Sequence, residues 1–598
     1  MEERTDIKEI VAARGDGLGA RLGAILNAMV LAEVLDLPFF FAWPPMVSDA
    51  GYHAIAPVSE IFSKEFIDRH YREAIDLGSY QKIMESTITA QLIADVRRDP
   101  KLRGLLIEHW YGPVPVEGHS HDAPALLRAA FARIGFSTAI QRVLAAARRV
   151  PLQDCIAIHA RRGDIVYGDY RFRLFNAKYT PRAIVKAVIR SALDSGHRVL
   201  LFSDDAATLE LMKQEYSVVL SSDLGGANFS SAEERAIFDL VVMSRCHRII
   251  CNRSCFAIMA HYIGKAPMHD IIEYYGKCEA KRSMLADLEQ YRSQYTDLEA
   301  AKTYQYVAIE LAAVVSHPER TALLSKASEL DPDNYAYAHT RALDLMRRGE
   351  LVEADRVLGV AAERYFDSGG QVTAELAKGF HVLEKGRKQL AKAAASPLAG
   401  PYTCAHWSHE LLRTESAKSA LPFAQRAHEL APASVLLAAR LSSCLLAVQR
   451  TDEANALLSR FLDAGVESPV MHLLRADVYQ GRREKRKALE DVRGALRLSP
   501  SHPYCVARLA WQCALCGKTS EAKKLVALVP SHGDQDPAVL YLQAKTLERL
   551  GDLQSALKAA TVALQMRPKK AHYRERVASI KAALEHAGGR RWSLRAGV

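Results

Sequence analysis

Two adjacent arginines stand in the segment His159-Ala160-Arg161-Arg162-Gly163-Asp164, directly after an apolar run at 155–159. A guanidinium is a rigid fork of N–H donors that meets phosphate oxygens in pairs, so two in succession can neutralise a diphosphate. The same six residues also read as a solvated charge cluster in which Asp164 is the internal partner. Three more segments carry residue types suited to the same work. Gly15-Asp16-Gly17-Leu18-Gly19-Ala20-Arg21 is a glycine-rich stretch between an apolar run and a helical pattern. Glycines permit close backbone approach and a helix N-terminus favours an anion, while a plain tight turn accounts for the glycines equally well. Phe202-Ser203-Asp204-Asp205 offers two carboxylates, of which Asp205 reads first as a helix cap. The last block runs from Asp239 to Phe256 and includes Asn252, Ser254 and Cys255. Ser254 opens a helix just after a strand, either as an ordinary N-cap or as part of an anion site.

These segments need a scaffold that brings them together. Apolar runs at 7–12, 38–43, 155–159, 198–202, 218–220 and 248–251 alternate with helical patterns at 22–35, 181–194, 207–216, 233–244 and 256–263. A helical middle region separates the second run from the third. Short buried runs between helices predict parallel sheets with crossover helices, and such sheets bind ligands at the carboxyl ends of their strands. All four segments fall at those ends.

Residue balance narrows the class of protein. The 598 residues are 49% hydrophobic and 25% charged, a globular composition. The net charge of +10 favours acidic partners, yet Lys and Arg form no aromatic-interleaved stripe, so nucleic acid is not the expected one. Met1-Glu2-Glu3-Arg4 is acidic and starts no apolar region, and the most apolar stretch, 24–43, is broken by Glu33, Asp36 and Pro38. Neither export nor membrane spanning is therefore expected, and a cytoplasmic location is. Cys513 and Cys516 form one CxxC without a second pair at zinc spacing, so helix packing is the first reading and redox or metal chemistry the second.

The second half repeats. Pro432, Pro500 and Pro568 are 68 apart, and Gly517 and Gly551 are 34 apart. Setting each proline at position 32 of a 34-residue unit aligns Ala544, Gly551, Ala556, Ala563 and Pro568 with Ala342, Gly349, Ala354 and Ala361, and with Ala476, Ala488, Ala495 and Pro500. Small residues let paired helices approach, glycine permits the turn and proline ends the second helix. This register resembles the tetratricopeptide (TPR) family over about 298–586, with an irregular unit at 369–400. The resemblance implies a solenoid whose concave groove binds a protein partner.

Taken in order, the four N-terminal segments resemble the fucosyltransferase superfamily with a GT-B fold, which spans α1,2-, α1,6- and protein O-fucosyltransferases and rhizobial nodulation-factor enzymes. His159–Asp164 is similar to its His-x-Arg-Arg-Gly-Asp, Phe202–Asp205 to its "FSDD", and Asp239–Phe256 to its "DL-x-x-MS-x-C … N-S-x-F" block. The chain departs from the pattern at Ala20, where many relatives carry Asn. Cys255 stands for a small hydroxyl residue, and the usual Trp after the phenylalanine is absent, with Ile258 nearby. The resemblance implies an α/β GT-B-like fold followed by an all-α TPR solenoid. It places an acceptor-side Rossmann-like domain at 1–150 and a GDP-sugar-binding one at 151–285. A helical linker follows at 286–300, then about eight repeats at 301–586 and a tail at 587–598. The implied reaction is an inverting, metal-independent transfer of fucose from GDP-fucose to a glycan or protein acceptor, as in bacterial glycan biosynthesis, with no resident cofactor.

On that resemblance Arg161 and Arg162 would hold the diphosphate, Arg162 being the β-phosphate contact. Gly17, Gly19, Arg21, His159, Ser203, Asp204, Asp239, Asn252, Ser254, Cys255 and Phe256 would surround the donor. The transfer needs a base for the acceptor hydroxyl; Asp16 is the first candidate and Asp164 the second. A turn-stabilising role for Asp16 and an internal partnership for Asp164 with the arginines stand beside those assignments. Two other functions fit the sequence: a TPR adaptor with a degenerate nucleotide-binding domain, and a transferase using GDP-mannose or UDP-GlcNAc. The tail residues Arg590-Arg591-Trp592 offer a peripheral contact with an anionic membrane, a frayed end being the plainer reading.

Overall fold

The structure is a computed structural model that describes residues 9–44, 55–73, 75–83, 87–108, 112–119, 122–172, 177–367, 384–529, 536–566 and 571–593. Residues 1–8, Gly369-Gly370 and the tail beyond 593 lie outside these. The chain forms two compact units, one made of nearly all residues up to Arg320 and one of residues from Thr321.

The first unit holds two parallel sheets. β1 (Glu9–Ala13), β2 (Phe39–Ala42), β3 (Tyr80–Ile83) and β4 (Gly104–Ile107) lie in the order β2-β1-β4-β3. β5 (Cys155–Ala160), β6 (Arg198–Ser203), β7 (Val218–Leu220), β8 (Arg248–Cys251) and β9 (Met268–Asp270) lie in the order β7-β6-β5-β8-β9. All pairings are parallel, with Ile10 opposite both Phe39 and Leu105 and His159 opposite both Phe202 and Cys251. β5 is buried over its whole length, as its unbroken Cys-Ile-Ala-Ile run requires of a central strand covered on both faces. The chain moves outward from β5 through β6 to β7 and returns to β8 on the other side. This reversal opens a crevice at the carboxyl ends of β5 and β8.

The middle region is not wholly helical, because it contributes β3 and β4. Both are four residues long, and β3, the edge strand, reads Tyr-Gln-Lys-Ile with Gln81 and Lys82 half-buried. Nothing in so short a stretch separates a strand from a loop by periodicity. The three-residue β9 is hidden for the same reason.

Helix α1 (Leu18–Leu35) starts at the glycine-rich loop and ends where Asp36 turns left-handed. It is long and apolar enough to cross a membrane, but 78% of it is buried inside the protein. One face packs on β1; another meets the helix Cys255–Ile263. The two helices touch at Gly19, where a Cβ would stand 2.9 Å from Phe256 Cα. One apolar cluster, from Ile10 through Leu26, Phe131, Phe202 and Leu240 to Ala266, therefore runs through both sheets. The spans 1–150 and 151–285 share a core rather than keeping separate ones.

The helices Lys277–Gln290 and Asp297–Ile309 belong to this unit as well. The stretch expected as a linker and the opening of the first repeat is thus part of the sheet-bearing body. Its polar face explains why: Glu299, Lys302, Thr303 and Gln305 are all buried there.

The second unit is a TPR-like stack of antiparallel helix pairs. First helices begin at Pro401, Val435, Pro469, Pro503 and Pro537, each 34 residues after the last. Their partners begin at Ala417, Thr451, Lys485, Thr519 and Leu553, and the helix Ala571–Ser593 follows the last pair. An earlier pair is formed by Tyr335–Arg347 and Leu351–Asp367, and the helix Glu384–Ala394 lies between. The small residues of the register, among them Ala342, Ala354, Ala476, Ala488, Ala544 and Ala556, are buried between helices at 0–1% exposure. Cys513 packs in the same interior. Each of four inter-helix turns contains one residue of positive φ: Gln449 (64°), Arg483 (63°), Gly517 (75°) and Gly551 (85°), again 34 apart.

Candidate functional site

The loop after β5 is held from several sides. Arg161 donates to Asp164 through Nε (2.9 Å) and Nη2 (2.6 Å), and Asp204 lies 3.4 Å from Nε. Burial works against the Arg161 charge, but Asp164 and Asp204 outweigh it and raise its pKa. Asp204 also accepts the backbone N–H of Arg162 (2.7 Å) and of Gly163 (2.9 Å). It is the anchor of the loop rather than a group facing a donor. Ser203 Oγ donates to Ala160 O (2.6 Å) and ties the ends of β5 and β6 together.

Arg162 is turned away from the crevice. It is fully buried, and each guanidinium nitrogen is engaged: Nε with Asp205 (3.1 Å), Nη1 with Thr180 O (3.0 Å) and Nη2 with Glu299. The β-phosphate contact expected of Arg162 does not fit this arrangement, since its guanidinium is fully buried and already paired with two carboxylates. Asp205 caps the helix Ala206–Glu215 through Thr208 while pairing with Arg162. Glu299 was hidden in the sequence, because it sits 137 residues away in a stretch that passes for a repeat helix.

Asp16 and Asp164, the two candidate bases, are both paired. Asp16 accepts Arg14 Nε (2.7 Å) and Nη2 (2.8 Å), and Asp164 is taken by Arg161. Arg21 is a brace for the glycine-rich loop, with Nε on Asp16 O (2.6 Å), Nη2 on Gly15 O (3.0 Å) and its guanidinium over the Trp43 ring. Burial lowers its pKa to about 10 despite Asp16. Gly17 is the N-cap of α1, and Gly19 serves the helix contact described above. Asn252 is likewise a brace, its Nδ2 donating to Tyr179 O.

What remains exposed to the crevice is a cationic corner. Cys255 is the first residue of the helix Cys255–Ile263, and Lys178 Nζ donates to its Sγ (3.3 Å). Arg161 and Arg14 both interact electrostatically with the same thiol. Burial pushes that thiol's pKa up, against the pull of Lys178 and Arg161. Ser254, the N-cap, is fully buried, and its Oγ has no hydrogen-bond partner among the described residues. Burial, and secondarily Arg161, push His159 down to about 3, so its imidazole is neutral. Its ring lies 5.8 Å from that of Phe256. Three cations, a helix N-terminus and an uncommitted hydroxyl suit an oxyanion. Arg14 and Lys178 are the two cations that sequence reasoning left without a role. Lys178 lies in a segment with no periodic pattern.

A cavity of about 170 Å³ opens at the carboxyl ends of β6 and β7, lined among others by Phe202, Ser203, Leu209, Ser221 and Asp239. Ser221 Oγ donates to Asp239, whose pKa is raised by burial to about 7. The site thus pairs an anion corner with a cavity at the neighbouring strand ends whose lining includes the carboxylates of Glu210 and Asp239.

The fold and this site define a chain of two parts: a doubly wound α/β unit with a crevice at its strand ends, and a helical-repeat unit. No family model matches the chain. It is 25% identical over 154 residues to mouse Tetratricopeptide repeat protein 16, a match that covers 24% of this chain and 20% of that protein. The chain therefore spans about a fifth of the length of this relative. Among solved structures it is similar to the thermophilic TPR protein TTC0263 of Thermus thermophilus, at 18% identity and a TM-score of 0.28, covering 31% of this chain and all of that one. A tetratricopeptide repeat protein from Parabacteroides merdae matches at 12% identity and a TM-score of 0.31, covering 47% and 99%. YrrB, a TPR protein described with an unusual peptide-binding site, matches at 18% identity and a TM-score of 0.22, covering 31% and 96%.

Proposed function

We propose that the N-terminal unit binds a nucleoside-diphosphate sugar and transfers its sugar, and that the repeats recruit a protein partner or a protein-borne acceptor. GDP-fucose is the donor implied by the loop resemblance. The observation that carries the reading is the convergence of Arg14, Arg161 and Lys178 on the N-terminus of Cys255–Ile263, beside a cavity that holds Asp239. Charge that builds on a departing diphosphate would be met by these cations and the helix end. The Asp239 carboxylate suits a base edge with two adjacent N–H donors, which guanine has and uracil lacks. In this reading a diphosphate that recruits Arg14 releases Asp16 to accept the acceptor's proton.

A donor screen by thermal shift tests the reading. GDP and GDP-fucose should raise the melting temperature, and Arg161→Ala should abolish the shift. Stabilisation by UDP and its sugars alone would overturn the guanine assignment. Asp16→Asn should keep GDP binding and lose turnover; full activity in that variant would end the base role.

A second reading is favoured by one observation: both candidate bases are engaged by arginines. The N-terminal unit would then be a degenerate transferase that only binds nucleotide, inside a TPR adaptor. GDP binding by the wild type, with neither hydrolysis nor transfer of GDP-fucose, would establish it.

A further inference from the structure

The excess positive charge of the chain is concentrated in one stretch of the repeat unit. Residues 482–528 hold 11 Lys and Arg against 4 Asp and Glu, so they carry seven of the chain's ten net charges. They form the turn before the second helix Lys485–Leu498 and all of the next pair, Pro503–Leu515 and Thr519–Leu528. The two second helices lie side by side, joined by Arg493 and Glu521 (2.8 Å), and Cys516 Sγ of one turn donates to Lys485 O of the other (3.4 Å). Their inward sides are apolar: Ala488, Leu489, Val492 and Ala495 on one, Ala522 and Val526 on the other. Their outward sides carry Lys485, Arg486, Lys523 and Lys524, all exposed, and Arg483 and Lys518 stand in the turns before them. None of these six cations has a carboxylate within ion-pair distance among the described residues, whereas Arg482, Lys487 and Arg493 of the same stretch are paired with Asp452, Glu484 and Glu521. Arg483 holds its place at a φ of 63°, where Gly517 and Gly551 stand in the two following turns. The cost of that conformation is met by no ion pair within the described chain.

We propose that this outward face is a peripheral docking surface for a lipid bilayer that carries anionic headgroups. Six cations without an internal carboxylate, spread over two adjacent helices rather than gathered in a cleft, suit a surface of many separate negative charges. Each adds to an attraction that acts within a Debye length of the headgroups. Leu528 distinguishes a bilayer from other polyanions. It is 71% exposed and stands one helical turn beyond Lys524 on the same side. A bare leucine beside lysines gains from the acyl boundary beneath the headgroups and gains nothing from a phosphate backbone. Neither second helix carries an aromatic side chain on which a base could stack. The surface lies on second helices, so a chain docked through it keeps its first helices open to a protein partner. Sugar transfer by the N-terminal unit is not needed for this docking.

Flotation of the full chain with lipid vesicles tests the proposal. Vesicles of phosphatidylcholine and phosphatidylserine in equal parts should carry the chain, and vesicles of phosphatidylcholine alone should not. Binding should weaken as salt rises. The triple variant Lys485→Gln, Arg486→Gln, Lys523→Gln should lose about thirtyfold or more in affinity with an unchanged melting temperature. Leu528→Ser should lose about fivefold while keeping the salt dependence. Arg483→Gly should bind about fivefold less tightly although it folds more stably, a split that a purely structural role would not give. Equal binding by wild type and the triple variant would overturn the site, and loss of binding in Arg590→Gln, Arg591→Gln instead would move the contact to the tail. Equal binding to both kinds of vesicle would overturn recognition of the headgroup charge. Full binding by Leu528→Ser, with tighter binding of a single-stranded oligonucleotide than of vesicles, would replace the bilayer by a nucleic acid. Failure to float with either vesicle would remove the inference and leave sugar transfer and partner binding untouched.

Discussion

At the scale of single residues, the two adjacent arginines divide the work. Arg161 stays at the crevice wall, whereas Arg162 is an interior strut between Asp205 and Glu299. Their alanine variants should therefore fail differently. Arg162→Ala leaves the buried carboxylates of Asp205 and Glu299 without their counter-charge and should cost about 3–5 kcal/mol of stability. Arg161→Ala should cost less and lose the thermal shift with GDP. Thermal melts with and without nucleotide check both outcomes. Asp239 gives a pH signature. Its pKa is raised to about 7 from an unfolded value of about 3.9. The folded state thus holds the extra proton between those values, and the contribution of Asp239 to stability is present in acid and lost as pH rises through 7. Asp239→Asn should melt higher relative to wild type at pH 8 than at pH 5. If the gap is the same at both, the carboxylate is not the titrating group. The arginine pair was legible because motif spacing is local. The burial of Arg162 as a strut was not, because it depends on Glu299, which no local pattern links to Arg162.

Elements were legible where they were long or repeated. The apolar strand β5, the helix Cys255–Ile263 and the 34-residue register all announce themselves through periodicity or buried runs. β3, β4 and β9 do not, since three or four residues stabilised by neighbouring strands carry too little pattern of their own. The repeat turns allow a sharper statement. The position occupied by Gly517 and Gly551 is held by Gln449 and Arg483 in two other turns, all at positive φ. A side chain there meets its own backbone, which costs about 1 kcal/mol. Arg483→Gly should stabilise the repeats by about 0.5 kcal/mol after the greater freedom of glycine in the unfolded chain is counted. Gly517→Ala should destabilise them by about 1 kcal/mol. Denaturant melts of the two variants against wild type measure both signs.

At the scale of the molecule, the boundary that matters lies after Arg320 rather than near residue 300. The helix Asp297–Ile309 looked like the first half of a repeat because its Ala and apolar residues keep the register. Its buried Glu299, Lys302 and Thr303 instead serve the sheet-bearing unit: Lys302 Nζ donates to Arg171 O (3.1 Å), and Thr303 Oγ1 meets the Tyr179 hydroxyl (3.1 Å). Glu299→Ala should therefore lower the melting temperature of the unit that carries Arg161, at a cost of about 3 kcal/mol, without touching any residue of the crevice. An unchanged melt would show that Arg162 is content without it. The pairing also sets an order on synthesis. A ribosome that has just released β9 has made every strand of the sheet, yet Arg162 still lacks one of its two carboxylates. The polar interior around Arg162 is therefore complete only once the chain has grown through Glu299, in a stretch that looks, in the sequence, like the next domain.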